Sequence, residues 1–180
     1  MLDNIFNTNE NIVYHATCPH CGAYMGQLKN LSSEICMACE KVSEWTKPSI
    51  ENLFSIINPT EQIAKLLNQY ESYYDFIVKD RKHDEGVTKD VYVGNKYLEL
   101  LSTLSPAEQH SYATAILNSD GASPFKFSKK SVWPVYLLIN ELPVKARFKN
   151  IIVIGLWYGC NKPDMNILLS PIVDLLNDLN

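Results

Sequence analysis

Four cysteines near the start of the chain carry the strongest chemical signal in the sequence. They form two Cys-x-x-Cys pairs with fourteen residues between them: Cys18 with Cys21, and Cys36 with Cys39. A Cys-x-x-Cys turn places two thiolates on one metal ion, and Zn²⁺ prefers four such ligands in a tetrahedron at about 2.3 Å. The spacing falls one residue short of the usual zinc-ribbon range. We therefore predict one structural zinc ion bound by these four residues.

Other interpretations of this segment remain open. His15 and His20 lie near the first pair and could replace a cysteine as a ligand. A small apolar unit with buried, metal-free cysteines would show the same pattern. A catalytic zinc ion is not expected, because four thiolates leave no coordination position for water. The fifth cysteine, Cys160, is unpaired in the sequence and is predicted to be a small buried residue.

Asp120 is the candidate for metal-dependent chemistry in the second half of the chain. It follows an apolar run and precedes Gly121, so the plain interpretation is a turn residue. A carboxylate at the end of a strand can also hold Mg²⁺, which prefers carboxylate oxygens. Two-metal phosphoryl transfer needs several carboxylates around ions about 4 Å apart. Asp120 alone is therefore a candidate ligand and not a complete site.

Basic residues are concentrated between residues 120 and 150. The whole chain has a net charge of −4, which argues against a general nucleic-acid-binding surface. This segment carries six basic side chains against two acidic ones, a local charge of +4. It predicts either a solvated face or a rim that contacts DNA phosphates. The basic residues are Lys126, Lys129, Lys130, Lys145, Arg147 and Lys149.

Composition places the chain among intracellular globular proteins. Its 180 residues are 46% hydrophobic, which fits one compact domain with a small module. No run of eighteen apolar residues occurs, so no membrane span is expected. The first four residues lack the basic and apolar regions of a secretory signal. The chain is therefore predicted to be nuclear or cytoplasmic, in a reducing compartment where paired cysteines more often hold metal.

Three apolar runs with strand composition predict consecutive strands of one sheet, at 112–117, 132–139 and 151–157, with Asp120 at the end of the first. Upstream, capping patterns and apolar spacing predict helices between 58 and 110, and Ser170-Pro171 predicts the start of a last helix. The predicted fold class is α+β. It has a zinc-ribbon-like module at 1–47, a helical linker at 48–110, and the sheet with its closing helix at 111–180.

Several short motifs in the last third of the chain resemble a known family. The chain resembles the transposase-domain proteins of animal CACTA/EnSpm-type DNA transposons from about residue 112 onward, with a weaker likeness upstream. The Trp-Pro and Asn-Glu-Leu-Pro motifs in series are the more specific part of the resemblance. The matching stretches are Asp120-Gly121, Pro124-Phe125, Ser131-Val132-Trp133-Pro134-Val135, Asn140-Glu141-Leu142-Pro143, Arg147-Phe148-Lys149-Asn150, Gly155-Leu156-Trp157-Tyr158-Gly159 and Lys162-Pro163-Asp164-Met165-Asn166.

The resemblance implies a ribonuclease-H-like transposase core of three antiparallel strands, a helix and further parallel strands. The predicted strands and closing helix match its first half in order. Asp120 would be the first acid of a catalytic Asp/Asp/Glu set, and the other two would come after this chain ends. The intact parent would carry out Mg²⁺-dependent hydrolysis of DNA phosphodiesters and strand transfer. This chain would be an N-terminal fragment, inactive alone, whose basic segment contacts DNA.

Two other functions remain open. The chain could be a non-enzymatic zinc-binding adaptor to DNA or protein, derived from such a transposon. It could also be a zinc-stabilised protein-interaction domain without any role on DNA. A half-core would leave its last strand with an open edge, so association into a homo-oligomer is a further expectation.

Overall fold

The computed structural model describes residues 11–46, 48–81, 90–124 and 129–179, and it is of the α+β class. Eight strands and five α-helices occur in these ranges. The strands are β1 (Ile12–Thr17), β2 (Tyr24–Gln27), β3 (Ser33–Ile35), β4 (Val42–Glu44), β5 (Leu53–Ile57), β6 (Ala115–Ser119), β7 (Ser131–Ile139) and β8 (Ile152–Gly159). The helices are α1 (Thr60–Gln69), α2 (Glu71–Asp75), α3 (Asn95–Ser102), α4 (Val144–Lys149) and α5 (Met165–Asn177).

Six of the strands form one sheet, in the order β2-β1-β5-β8-β7-β6. The pairs β1/β2, β1/β5 and β5/β8 are antiparallel. The other two strands, β3 and β4, form a separate antiparallel pair. The strands predicted at 132–139 and 151–157 are confirmed as β7 and β8. The strand predicted at 112–117 begins three residues later, as β6, and the three strands are neighbours in the sheet.

The sheet also takes strands from the two segments upstream. β1 and β2 come from the segment predicted as a zinc module, and β5 comes from the segment predicted as helical. β5 is an apolar run rich in isoleucine with Leu53, Phe54 and Ile56 buried, which is typical of a central strand. Because β5 pairs with β8, the open edge expected at β8 is not there. The terminal strands of the sheet are β2 and β6.

The chain divides into two compact units. One takes residues 1–59, 118–136 and 153–180, and the other takes residues 60–117 and 137–152. In the first, α5 buries Leu168 and Ile172 completely. A Cβ on Gly155 of β8 would lie 2.8 Å from the Cδ1 atom of Ile172, so this glycine permits the close packing of helix on strand. The second unit has a core of Ile77, Tyr92 and Tyr97.

The helices between residues 58 and 110 lie in the predicted range, whereas the last helix begins earlier than predicted. α1 begins at Thr60 and α3 begins at Asn95, both within the range 58–110 where helices are predicted. The predicted start of the last helix at Ser170 is wrong. α5 begins at Met165, because the Asp164 carboxylate accepts the backbone N–H of Asn166 at 2.9 Å, and Pro171 lies inside the helix. In the described part of the chain, no helix has the length and apolar character needed to cross a membrane.

Candidate metal centre

The first cysteine pair lies in a tight turn between β1 and β2. The N–H of Gly22 donates to the carbonyl of Cys18 at 2.8 Å, and the N–H of Cys18 donates to the carbonyl of Ala23 at 2.7 Å. Gly22 has a φ of +77°, a conformation that glycine adopts without steric cost. The turn therefore brings the thiols of Cys18 and Cys21 to the same side.

The second cysteine pair repeats this turn 18 residues later, between β3 and β4. The N–H of Glu40 donates to the carbonyl of Cys36 at 2.7 Å, and the N–H of Cys36 donates to the carbonyl of Lys41 at 3.0 Å. Glu40 has a φ of +58° and takes the place of Gly22. The flanking strands keep the same offset, since Thr17 pairs with Tyr24 and Ile35 pairs with Val42. The sequence did not reveal this repeat, because little beyond the cysteines is common to its two copies.

The two turns bring all four thiols together. The Sγ atoms of the four cysteines lie within 4.8 Å of one another. Cys18 Sγ is 3.8 Å from Cys39 Sγ, and Cys21 Sγ is 3.6 Å from Cys36 Sγ. A tetrahedron with zinc–sulfur bonds of about 2.3 Å has edges of about 3.8 Å. The cluster therefore has the ligand type, number and spacing that fit a zinc ion.

Hydrogen bonds and burial shift the pKa values of Cys18 and Cys21 in opposite directions. Burial acts to raise the pKa of Cys18, but N–H groups of His20 and Cys21 and the neighbouring thiols outweigh it and lower that pKa to about 6. Cys21 also has an N–H donor, from Ala23, yet burial and the neighbouring thiols raise its pKa to about 12. Four thiols this close cannot all ionise without a cation among them. The N–H donor to Cys18 Sγ, from His20 at 3.4 Å, is typical of a site that holds thiolate.

Neither histidine joins the cysteine cluster. His15 is buried in β1, where its Nδ1 lies 2.7 Å from the Tyr24 hydroxyl and its ring stacks on Phe54. Burial lowers the pKa of His15 to about 4, so its ring is neutral and part of the packing of the sheet. His20 is exposed at the turn. Cys160 is also exposed, which corrects the prediction that it is buried.

Asp120 lies directly after β6 and its side chain is exposed. Among residues 11–46, 48–81, 90–124 and 129–179, the four cysteines are the only cluster of three or more metal-ligating side chains. Asp120 therefore has no set of carboxylates around it within the described residues. Asp164 serves as the cap of α5, and Asp174 and Asp178 are exposed near its end.

The basic residues of the 120–150 segment occupy different environments. Lys126 lies outside the described residues, and Lys129 is exposed. Lys130 pairs with the Glu51 carboxylate, and its amine lies 5.4 Å from the centre of the Tyr158 ring. Lys145 and Lys149 are exposed on α4 with Phe148 between them, 64% exposed. Arg147, on the same helix, is instead buried with 4% of its surface exposed.

The Asn-Glu-Leu-Pro motif builds a buried polar network, a role that the sequence did not reveal. Glu141 is fully buried, and its Oε1 accepts from the Thr114 hydroxyl at 2.6 Å and from the Tyr97 hydroxyl at 2.9 Å. Its Oε2 accepts the backbone N–H of Thr114 at 2.8 Å. Burial raises the pKa of Glu141, although these hydrogen bonds act to lower it. The neighbouring Asn140 donates its amide to the Thr114 hydroxyl at 2.9 Å. The motif therefore ties the β7–α4 connection to the segment that precedes β6.

The cysteine cluster is thus the one arrangement among the described residues that has the geometry of a recognised metal site. Comparison with protein-family models, curated proteins and solved structures finds no match to this chain.

Proposed function

We propose that Cys18, Cys21, Cys36 and Cys39 bind one Zn²⁺ ion with a structural role. The observation that carries this is the match between the Sγ–Sγ distances of 3.6 and 3.8 Å and the edge of a zinc–thiolate tetrahedron. β3 and β4 have three residues each, and an isolated hairpin of that length is not stable in water. The ion would link this hairpin to the turn between β1 and β2. Four thiolates leave no open position, so the ion takes no part in catalysis.

Metal analysis tests this proposal. Protein purified under reducing conditions should contain about one zinc ion per chain, and Co²⁺ should replace it with the spectrum of a tetrahedral tetrathiolate. Cys36→Ser should lose the metal. Cys160→Ser, which changes an exposed cysteine outside the cluster, is the matched control and should keep it. Protein that holds neither zinc nor Co²⁺ would show that the four thiols are only packed together.

We also propose that the chain derives from a DNA transposase and is not an enzyme by itself. The motifs described above support the origin, and the strand order leaves β6, with Asp120 at its end, at the terminal position of the sheet. Further strands of a ribonuclease-H-like core could add there, and Asp120 would then be one of several Mg²⁺ ligands. Asp120 belongs to no cluster of three or more metal-ligating side chains within the described residues, which supports the absence of cleavage by this chain alone.

Plasmid nicking with Mg²⁺ tests whether the chain is inactive. We expect no nicking above that of the Asp120→Asn variant. Nicking that Asp120→Asn abolishes would show that Asp120 belongs to a working site. In that case the proposal that the chain is not an enzyme fails, while the proposed zinc centre is tested separately by the metal analysis.

The DNA contact that we propose is the exposed face of α4. Lys145 and Lys149 offer charge to phosphates, and Phe148 offers a ring on which an unpaired base can stack. Lys145→Ala with Lys149→Ala should weaken DNA binding and reduce the slope of log affinity against log salt by about 2. Lys65→Ala with Lys29→Ala removes two exposed lysines elsewhere and should leave a larger slope. Equal slopes in the two variants would place the DNA contact outside α4.

A further inference from the structure

The two cysteine hairpins are copies of one structural unit, yet their surroundings differ. In the first, β1 lies between two strands: β2 on one side, and β5 on the other through the antiparallel pairs Ile12–Ile57 to Ala16–Leu53. In the second, the equivalent strand β3 pairs with β4 alone in the part of the chain that the structure describes. The edge of β3 that corresponds to the β5 side of β1 therefore has no strand paired to it among the described residues.

The second hairpin also exposes large apolar side chains. Ile35 and Val42 are direct partners across β3 and β4, and they are 60% and 58% exposed. Met37, in the turn between them, is 93% exposed. Single exposed apolar side chains are ordinary, but three on one short hairpin form a patch of the kind found at interfaces. Methionine is frequent at surfaces that accept more than one apolar partner.

The charges around this patch indicate the chemistry of its partner. Residues 32–46 carry three acidic side chains, Glu34, Glu40 and Glu44, against one basic side chain, Lys41. Glu40 and Glu44 are exposed. An acidic rim repels phosphates and attracts lysine and arginine. The patch therefore fits a basic protein segment and does not fit DNA.

We propose that the β3–β4 hairpin is a docking site for an extended segment of another protein, with apolar residues flanked by lysine or arginine. The segment pairs with this edge of β3 as β5 pairs with β1, and it covers Ile35, Val42 and Met37. Main-chain hydrogen bonds supply affinity in such strand addition, and side-chain pockets supply specificity. The proposed zinc ion contributes only rigidity to the hairpin, which lowers the entropic cost of binding.

Two labelled peptides test the site in the full chain. Both have the same alternating valine and threonine core, one flanked by lysines and the other by glutamates. The lysine-flanked peptide should bind at least about tenfold more tightly in fluorescence anisotropy. In NMR spectra of the protein, the amide signals that shift when this peptide binds should centre on residues 32–45. Ile35→Thr with Val42→Thr should reduce this affinity about tenfold. Val173→Thr with Leu179→Thr, which changes one exposed residue of α5 and one that follows it, should not.

Reversing the charge of the acidic rim provides a second, independent test. Glu40→Lys with Glu44→Lys should reverse the preference, so that the glutamate-flanked peptide binds better. Zinc content of about one ion per chain in each variant separates a failed metal centre from a failed docking site. If the Ile35/Val42 variant does not take up zinc, the charge reversal alone decides.

Several results would overturn the proposal. Peptide binding that ignores the flanking charge, or that survives the loss of Ile35 and Val42, would rule out this hairpin. A DNA duplex that shifts the same amides would make the patch a nucleic-acid contact. Self-association that Ile35→Thr with Val42→Thr abolishes would make the occupant a second copy of this chain.

Discussion

Arg147 and Asp90 form a bidentate ion pair in the interior of the protein. Arg147 Nη1 donates to Asp90 Oδ1 at 2.9 Å, and Nη2 donates to Oδ2 at 3.1 Å. Their side chains are 4% and 9% exposed. Nη2 also donates to the carbonyls of Asn140 at 2.5 Å and Leu142 at 3.2 Å. Arg147 therefore links two backbone carbonyls to the Asp90 carboxylate, and its buried guanidinium is not available to DNA.

Removing the Asp90 carboxylate should strongly destabilise the unit formed by residues 60–117 and 137–152. Asp90→Ala leaves the Arg147 guanidinium buried without its counterion, and breaking a buried pair in this way typically costs about 3–5 kcal/mol. Asp75→Ala breaks an exposed pair with Lys79, four residues further along the chain, and should cost much less. Urea unfolding of both variants measures the difference. Equal losses would mean that water reaches the Arg147–Asp90 pair.

The Arg147–Asp90 pair should also make the free energy of unfolding depend on pH in the acid range. Burial acts to raise the pKa of Asp90, but Arg147 and the N–H of Val91 outweigh it and hold that pKa below its ordinary value of 3.8. The folded protein thus releases this proton more readily than the unfolded chain. The stabilisation is present above pH 3.8 and is lost as the pH falls through the folded pKa. Asp90→Asn should lack this acid-dependent loss, which unfolding measured as a function of pH can detect.

Glu141 should have the opposite pH dependence. Burial raises its pKa above 4.5, so the folded protein binds this proton more tightly than the unfolded chain does. Its contribution to stability is full below pH 4.5 and is lost as the pH rises through the folded pKa. Relative to the wild type, Glu141→Gln should therefore become more stable as the pH increases above 4.5. A constant difference between the two proteins at all pH values would contradict this.

The comparison of Glu141→Gln with Glu141→Ala measures how much the hydrogen bonds of this side chain contribute to stability. The glutamine oxygen can accept the Thr114 N–H, while its amide donates to the hydroxyls of Tyr97 and Thr114. Alanine leaves these groups unsatisfied in the interior and should cost at least about 2 kcal/mol. The glutamine variant should be closer to the wild type in a thermal melt.

The sequence predicted the strands that contain long apolar runs and missed those that are short. β7 and β8 were found because eight or nine consecutive residues have strand composition. β5 has five residues and lies just before a helix cap, so the helical pattern around it dominated. β1 was overlooked because the cysteines that follow it suggested a separate module. The pairing of β1 with β5 and of β5 with β8 depends on contacts between residues far apart, which local patterns do not contain.

The candidate metal site was more predictable than the other sites. Two Cys-x-x-Cys pairs already specify four ligands, and the structure brings them together as expected. The basic segment was less predictable, because charge alone does not distinguish exposed Lys145 from buried Arg147. The partner that removes Arg147 from the surface is Asp90, which lies 57 positions away in the chain. Glu141 gave no signal beyond its place in a short motif.

Substitutions at the equivalent positions 22 and 40 of the two cysteine turns should change stability in opposite directions. Gly22→Ala forces alanine to a φ of +77°, and nothing lies within 4 Å of the new Cβ, so the cost is backbone strain of about 1–2 kcal/mol. Glu40 already bears this strain at a φ of +58°, so Glu40→Gly should be neutral or stabilising by up to about 1 kcal/mol. Thermal melts of the zinc-loaded protein measure both. Equal effects of the two changes would contradict the left-handed geometry of the turns.

Asp120 and Gly121 are adjacent, yet substitutions at them should have very different effects on folding. Gly121 lies against Trp133, whose Nε1 donates to the Ser131 hydroxyl at 2.9 Å. A Cβ at residue 121 would lie 2.8 Å from Cδ2 of that ring and closer still to Cε2 and Cζ2. The ring would have to move, and its hydrogen bond and its position 5.4 Å from the Lys162 amine would change with it. Gly121→Ala should therefore cost about 1–3 kcal/mol through overpacking.

Asp120→Asn is the matched control for this change. The Asp120 side chain is exposed, so the substitution should alter the free energy of unfolding by no more than about 0.5 kcal/mol. Gly121→Ser adds the same Cβ and should be no more stable than Gly121→Ala. If Gly121→Ala melts at the wild-type temperature, the Trp133 ring can move aside at little cost. The glycine after Asp120 would then serve the turn alone, as the sequence first indicated, and its packing against Trp133 would not explain its presence in the motif.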